Sequence, residues 1–256
     1  MAATSRWVES IRVGLAALAD PEAAEPMRAY MKSELPFLGV QATARRRALR
    51  ELLPALSSQA ELYGLVRTLW RGRARKTDKV FREERYIAME ILTHARFKLL
   101  RDASTLTLYE ELIVDGAWWD FVDHLAKHGV GELLKRFPGE IMPRILEWST
   151  DADLWKRRSA ILCQLDMKQE TDTQLLEAVL AANLSDSEFF IRKAVGWALR
   201  QYGWVDPDYV ERYVKREAKR LSPLSKREAL KSLDGARAKL ALAANPKGRS
   251  LGRGQK

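Results

Sequence analysis

The 256-residue chain holds one cysteine and three histidines, and these scarcities exclude whole classes of chemistry. Cys163 has no partner for an internal disulfide, which fits a reducing compartment, and within Ala160–Leu165 it reads as a small packing residue. His94, His124 and His128 are too few for a conventional zinc cluster beside a single thiol. His124 and His128 lie four apart and would share a helix face, but no third ligand or partnering glutamate accompanies them. Neither a metal nor a cofactor is expected. Uncharged apolar runs of the roughly 18–20 residues that a membrane-spanning helix needs are also lacking. Arg6 and Glu9 fall where a signal peptide would place its apolar stretch, so the expected location is cytoplasmic, in contact with the nucleoid if the chain binds DNA. Strand signals are few, and the 14 glycines and 9 prolines fall largely between apolar-periodic segments.

What remains is rich in Ala, Leu, Arg, Lys and Glu, the strong helix formers. Asp151 with Asp153, Ser185 to Glu188, and Ser222 to Ser225 each precede an apolar-periodic run and supply N-terminal caps. Basic residues ahead of apolar runs recur: Arg46, Arg85, Arg157, Arg192 and Arg227. The last three are 35 residues apart, and the 72 residues from Arg85 to Arg157 make two units of 36. A helical period of this length marks stacked helical repeats of the HEAT or armadillo kind. The expected fold is therefore all-α, a HEAT-like helical-repeat solenoid (an α-α superhelix) of about six helix pairs. No linker divides it, so residues 1–244 are expected to form one domain, followed by a flexible basic tail over 245–256.

The net charge is +10, and residues 206–256 hold 14 basic and 6 acidic side chains. Elsewhere the basic residues cluster, at Arg45-Arg46-Arg47 with Arg50, at Arg71-Gly-Arg73-Ala-Arg75-Lys76, and at Lys156-Arg157-Arg158. A single run of this sort is usually a solvated face. Recurring at one phase of a solenoid, such residues would build a concave basic surface suited to a phosphate backbone.

One unit breaks the pattern. The midpoint between Arg85 and Arg157 is Phe121, inside Trp118-Trp119-Asp120-Phe121-Val122-Asp123. The spacing of four from Trp119 to Asp123 stacks a ring and a carboxylate on one helix face. An acid on a phosphate-attracting surface weakens binding unless it meets positive charge that develops on the nucleic acid itself.

At this point five segments, in order, resemble the AlkD family of DNA alkylation repair glycosylases. They are Pro36-Phe37-Leu38-Gly39-Val40, Trp118 to Asp123, Trp155-Lys156-Arg157-Arg158-Ser159-Ala160-Ile161-Leu162, Phe189 to Arg200, and Ser222 to Ala229. The resemblance spans about residues 20–233. It implies a single HEAT-like domain that cradles duplex DNA and hydrolyses the N-glycosidic bond of N3- and N7-alkylated purines such as 3-methyladenine and 7-methylguanine. The family's aspartate maps onto Asp123, its two site tryptophans onto Trp119 and Trp197, and its arginine onto Arg158. Tyr30, Gln41 and Arg46 match positions in the N-terminal repeats that approach DNA. The resemblance further implies attack from the backbone side without extrusion of the base into a pocket.

That implication fits the chemistry of a cationic alkylpurine, which leaves without a protonating acid. The deoxyribose left behind gains oxocarbenium character, which a fixed carboxylate at Asp123 can stabilise while it orients or deprotonates water. Positive charge from Arg158 is expected to favour the ionised form, with Arg158 also contacting phosphate. Trp119 and Trp197 would face the sugar and backbone. Trp118, Trp148, Trp155 and Trp204 are assigned to the core or to solvent. The expected partner is double-stranded DNA containing alkylated purines, met by a monomer. The alternative is a non-catalytic helical-repeat protein that binds DNA structures or a protein partner.

Overall fold

Asp20, Ser58, Asp153, Asp172, Asp206 and Ser222 each turn a side-chain oxygen onto backbone N–H groups at the start of a helix, satisfying donors that the helix itself leaves unpaired. Helices fill most of the computed structural model, which describes residues 2–72 and 79–244; among those residues there is no strand. The fold is all-helical and repeating, as its periodicity predicts. The basic tail 245–256 and Arg73, Arg75 and Lys76 lie outside the described residues. Two compact units divide the chain, residues 1–108 and 109–256.

The first unit contains α1 (Ala2–Ala16), α2 (Pro21–Met31), α3 (Ala42–Leu52), α4 (Gln59–Arg71), α5 (Arg82–Thr93) and a 3-10 turn over Ala95–Leu100. Leu62, Leu65, Val66, Leu69 and Trp70 recur at the spacing of one helix face, and all five are fully buried. They pack between α1, which contributes Val8, Ile11 and Leu15, and α5, which contributes Ile87, Ala88, Ile91 and Leu92. Before α3, Gly39 takes φ +84° and passes so near α2 that a Cβ there would stand 1.9 Å from the Asp20 carbonyl oxygen. This turn is held from α5. The fully buried Glu83 carboxylate accepts the N–H groups of Leu38, Gly39 and Val40 at 2.9–3.1 Å.

Helix α6 (Thr105–Gly116) contains the boundary. The second unit continues with α7 (Trp119–His124), a π-helical turn (Leu125–Val130), α8 (Gly131–Arg136), α9 (Pro138–Trp148), α10 (Leu154–Leu162) and α11 (Thr173–Ala181). It ends with α12 (Phe189–Tyr202), α13 (Pro207–Arg216), α14 (Pro223–Leu230) and α15 (Leu233–Ala244). Here α7, α10, α12 and α14 pack in succession, each against the next. Ile161, Leu162, Leu176, Leu180, Ile191, Val195, Leu199 and Val210 form a continuous buried cluster beneath them. The repeat length appears directly in contacts: residues 35 positions apart meet across neighbouring helices, as Asp123 with Arg158, Trp155 with Phe190, and Lys193 with Glu228.

The in-phase arginines do not share one role, in contrast to the uniform stripe that their spacing suggests. Arg46 and Arg227 are exposed, whereas Arg85 lies over the Trp70 ring and donates to its carbonyl. Arg157 bonds the carbonyls of Asp151 and Ala152 and pairs with Asp186 at 3.1 Å. A long cation that reaches back to its own interhelical loop stabilises that loop and leaves less charge for a ligand.

Candidate active site

Among the described residues, the charged partner of the Asp123 side chain is one residue, a full repeat later. Arg158 donates Nε to Oδ1 at 2.7 Å and Nη2 to Oδ2 at 2.8 Å, the two-point match that a planar guanidinium makes with a carboxylate. Arg158 also donates Nη1 to the Phe190 carbonyl at the start of α12. The helices explain the meeting: α10 packs against both α7 and α12, and Asp153 caps α10 so that Arg158 lies on its second turn. Only 4% of the Arg158 side chain and 14% of the Asp123 side chain remain exposed.

Burial pushes the Asp123 carboxyl above the usual aspartate range; the Arg158 hydrogen bonds and charge pull it down, and Asp120 adds to the rise. The net direction is upward, opposite to the one expected from Arg158 alone, because desolvation of a nearly enclosed carboxyl outweighs a single cation. The two-point pairing nevertheless requires the ionised form. Each carboxylate oxygen keeps a second lone pair, and 14% of the side chain stays exposed. Lys127, four residues on, does not serve Asp123: it pairs with Asp166 at 3.0 Å.

Trp119, the first residue of α7, is half-buried and shares the helix face of Asp123. Trp197 is half-buried on α12 and packs against the buried cluster of the second unit. Phe121, the residue standing in the arginine phase, is fully buried; its side chain serves the core. Arg158 is nearly enclosed, and three of its five N–H groups are engaged within the protein.

Tyr30, Gln41 and Arg46 belong to the first unit. Tyr30 is 77% exposed on α2. Gln41 is exposed at the residue before α3, and Arg46 projects from α3 with its Nε 3.4 Å from Glu90. Its neighbour Arg45 is buried, pairing with Glu90 at 3.1 Å and lying 4.4 Å over the Tyr86 ring. The triple-arginine run thus divides into a structural residue and exposed ones.

Two tryptophans assigned to packing, Trp118 and Trp155, cluster with Phe190, which adjoins the pair. Trp118 meets Phe190 edge to face at 5.7 Å and Trp155 at 6.2 Å, and Trp155 meets Phe190 at 5.0 Å. The Phe190 ring lies 5.8 Å from the Arg158 guanidinium carbon. The 35-residue spacing of Trp155 and Phe190 carried this signal in the sequence. So did that of Lys193 and Glu228, where Glu228 binds Lys193 at 2.8 Å and Arg200 at 2.7 Å.

Among the described residues no three His, Cys, Asp or Glu side chains gather as a metal ion would need. The His124 and His128 rings meet edge to face at 4.8 Å, and His128 Nδ1 lies 3.5 Å from Asp166. No described helix is long and apolar enough to cross a membrane.

Residues 11–233 match the model of a family described as DNA alkylation repair enzyme. Among solved structures, one similar to this chain is described as a predicted DNA alkylation repair enzyme from Enterococcus faecalis. The two are 30% identical, with a TM-score of 0.72, and the match covers 84% of this chain and 96% of that one. No curated protein matches the chain significantly.

Proposed function

The chain belongs to the family of DNA alkylation repair enzymes, and from that premise we propose that it is a monofunctional DNA glycosylase. Its substrates would be cationic N3- and N7-alkylated purines in duplex DNA. The observation that carries this reading is the Asp123 carboxylate, clasped at two points by Arg158 and nearly enclosed, with 14% of its side chain exposed.

The chemistry asks little of the protein at the base. When the N-glycosidic bond breaks, the bonding pair leaves with the alkylpurine and neutralises its charge, so no acid is required. Positive charge passes to the deoxyribose ring. A carboxylate about 4 Å from that charge contributes about 4 kcal/mol at an effective dielectric of 20, worth about a thousandfold in rate. Water then adds at C1′, its proton passing to the carboxylate or to solvent, and the products are a free alkylpurine and an abasic site.

Arg158 would act through Asp123, fixing its orientation and keeping it ionised against the pull of burial. Its charge also opposes the cation, so the arrangement would help only with the carboxylate placed between the two. Trp119 and Trp197 would present ring faces to the sugar and backbone, holding the lesion and attracting the growing charge. Tyr30, Gln41 and Arg46 would meet the duplex from the first unit, Tyr30 and Arg46 being well exposed. Selectivity would rest on the lability of the cationic lesion, so neutral lesions should be refused.

The test is release of 7-methylguanine or 3-methyladenine from alkylated duplex DNA by the wild type and by Asp123→Asn. The reading expects release by the wild type and a loss on the order of 10²–10³ in the variant. Equal release by both would sink the role of Asp123. Tight duplex binding with no release by either would favour a non-catalytic DNA binder.

A further inference from the structure

Three elements carry the proposed site, α7 with Trp119 and Asp123, α10 with Arg158 and α12 with Trp197, and an aromatic ring at the start of each joins one cluster: Trp118, the residue before α7, with Trp155 and Phe190 in the first turns of α10 and α12. Phe190 is the only member that also touches the ion pair, and it does so twice. Its carbonyl oxygen accepts from Arg158 Nη1, and its ring lies beside the guanidinium at 5.8 Å.

We propose that Phe190 is a positioning residue for the Asp123–Arg158 pair, its ring and carbonyl together holding the guanidinium in the one orientation that presents both Nε and Nη2 to the carboxylate. This rests on the glycosylase reading only for its kinetic consequence; the positioning itself is a property of the folded chain.

The physical argument concerns rotational freedom. A guanidinium has five donors and can meet a carboxylate through either edge or end on. In this protein one edge, Nε with Nη2, faces Asp123, and the outward Nη1 is tied to the next helix. The Phe190 ring lies beside the guanidinium at 5.8 Å, and it is flanked by Trp118 at an edge-to-face angle of 65° and by Trp155 at 45°. The charged groups acting on Asp123 are Arg158 from α10 and Asp120 from its own helix. Freeing Arg158 therefore leaves burial and Asp120 less opposed, and the carboxyl rises further. Both outcomes harm a carboxylate that must be ionised and fixed in place.

Phe190→Ala removes the ring from beside the guanidinium, Phe190→Leu keeps much of the volume without a π face, and Phe190→Tyr keeps the ring. The experiment measures single-turnover release of alkylpurine across pH, duplex affinity, and the titration of the Asp123 carboxyl by carbon-13 NMR in all three and in the wild type. The expected result for Phe190→Ala is a rate lower by tenfold or more, duplex affinity within about twofold, and acid limb and Asp123 titration both moved to higher pH. Phe190→Leu should fall between and Phe190→Tyr near the wild type. A merely structural residue would lower the melting temperature while leaving the titration of the folded protein in place. A folded Phe190→Ala or Phe190→Leu whose Asp123 titrates as in the wild type overturns the proposal. Should the wild type release no base, the glycosylase reading falls, while the NMR titration still decides the role of Phe190.

Discussion

Arg158 closes on Asp123 from 35 residues further along the chain, one repeat away, and presents two parallel N–H donors to its two oxygens at 2.7 and 2.8 Å. The same interval joins Lys193 to Glu228. A repeat places side chains of equal phase on adjacent helices, so opposite charges one period apart meet with no further requirement on the sequence between them.

Removing either partner of the clasp leaves a charge with no counterpart in a site that admits little water. Arg158→Met should lower the unfolding free energy by about 3 kcal/mol, and Asp123→Leu should also destabilise the chain. The double variant should lose less than the sum of the two, because it carries no unpaired charge. Urea denaturation of the four proteins checks this. Strict additivity would show that the two side chains are not coupled in folding.

Gly196 lies one residue before Trp197, where α12 packs closely on α14. A Cβ there would stand 2.6 Å from the Glu228 Cβ and 2.7 Å from the Ser225 carbonyl oxygen, and neither atom is the far end of a flexible chain. Alanine improves helix propensity by about 1 kcal/mol, but forcing the helices apart costs about 1–3 kcal/mol or more. Gly196→Ala should therefore be destabilising on balance, by thermal or chemical denaturation. A gain in stability would mean that α14 moves away freely.

Glu228 is held below the usual glutamate range, first by its hydrogen bond from Lys193 and also by the charge of Arg200, against the opposing effect of burial. A folded-state value below the unfolded one means that the unfolded chain binds the proton more readily. The stabilisation is thus fully present above the ordinary value of 4.5 and is lost as pH falls through the lowered one. Glu228→Gln should remove this component, so its stability deficit should be largest at neutral pH and shrink on acidification. A deficit that does not change between pH 7 and pH 3 would refute the assignment.

Cys163 is fully enclosed, and burial pushes its thiol up to about 12. Since the thiolate is the reactive form, a maleimide or disulfide reagent should leave the native protein unmodified at pH 8 and label it stoichiometrically in denaturant. Rapid native labelling would place the thiol at an accessible surface.

The candidate site divides into what spacing encodes and what contact decides. Helical class, the period near 35 and the caps at Asp153 and Ser222 are legible because they depend on nearby residues: propensity, one-face periodicity and a side chain two or three positions from the N–H it satisfies. The separation of Trp119 from Asp123 likewise fixes their shared face. By contrast, the basic run Arg45-Arg46-Arg47 is not a uniform face. Arg45 is buried against Tyr86 and Glu90 while Arg46 stands in solvent, and adjacent residues on a helix point about 100° apart, so only the packing of α3 against α5 settles which is which.

The sequence by itself determined an all-helical repeating chain and the helix face shared by Trp119 and Asp123. Only the tertiary structure decided that Arg158 is engaged by Asp123 and Phe190, that the carboxyl lies above its ordinary range, and that Trp118, Trp155 and Phe190 share one cluster. The reason is that local propensity and periodicity act over a turn or two of helix. Desolvation and the choice of a charge partner depend on which surfaces neighbouring repeats bring together, and that is set by packing across the whole interval between them.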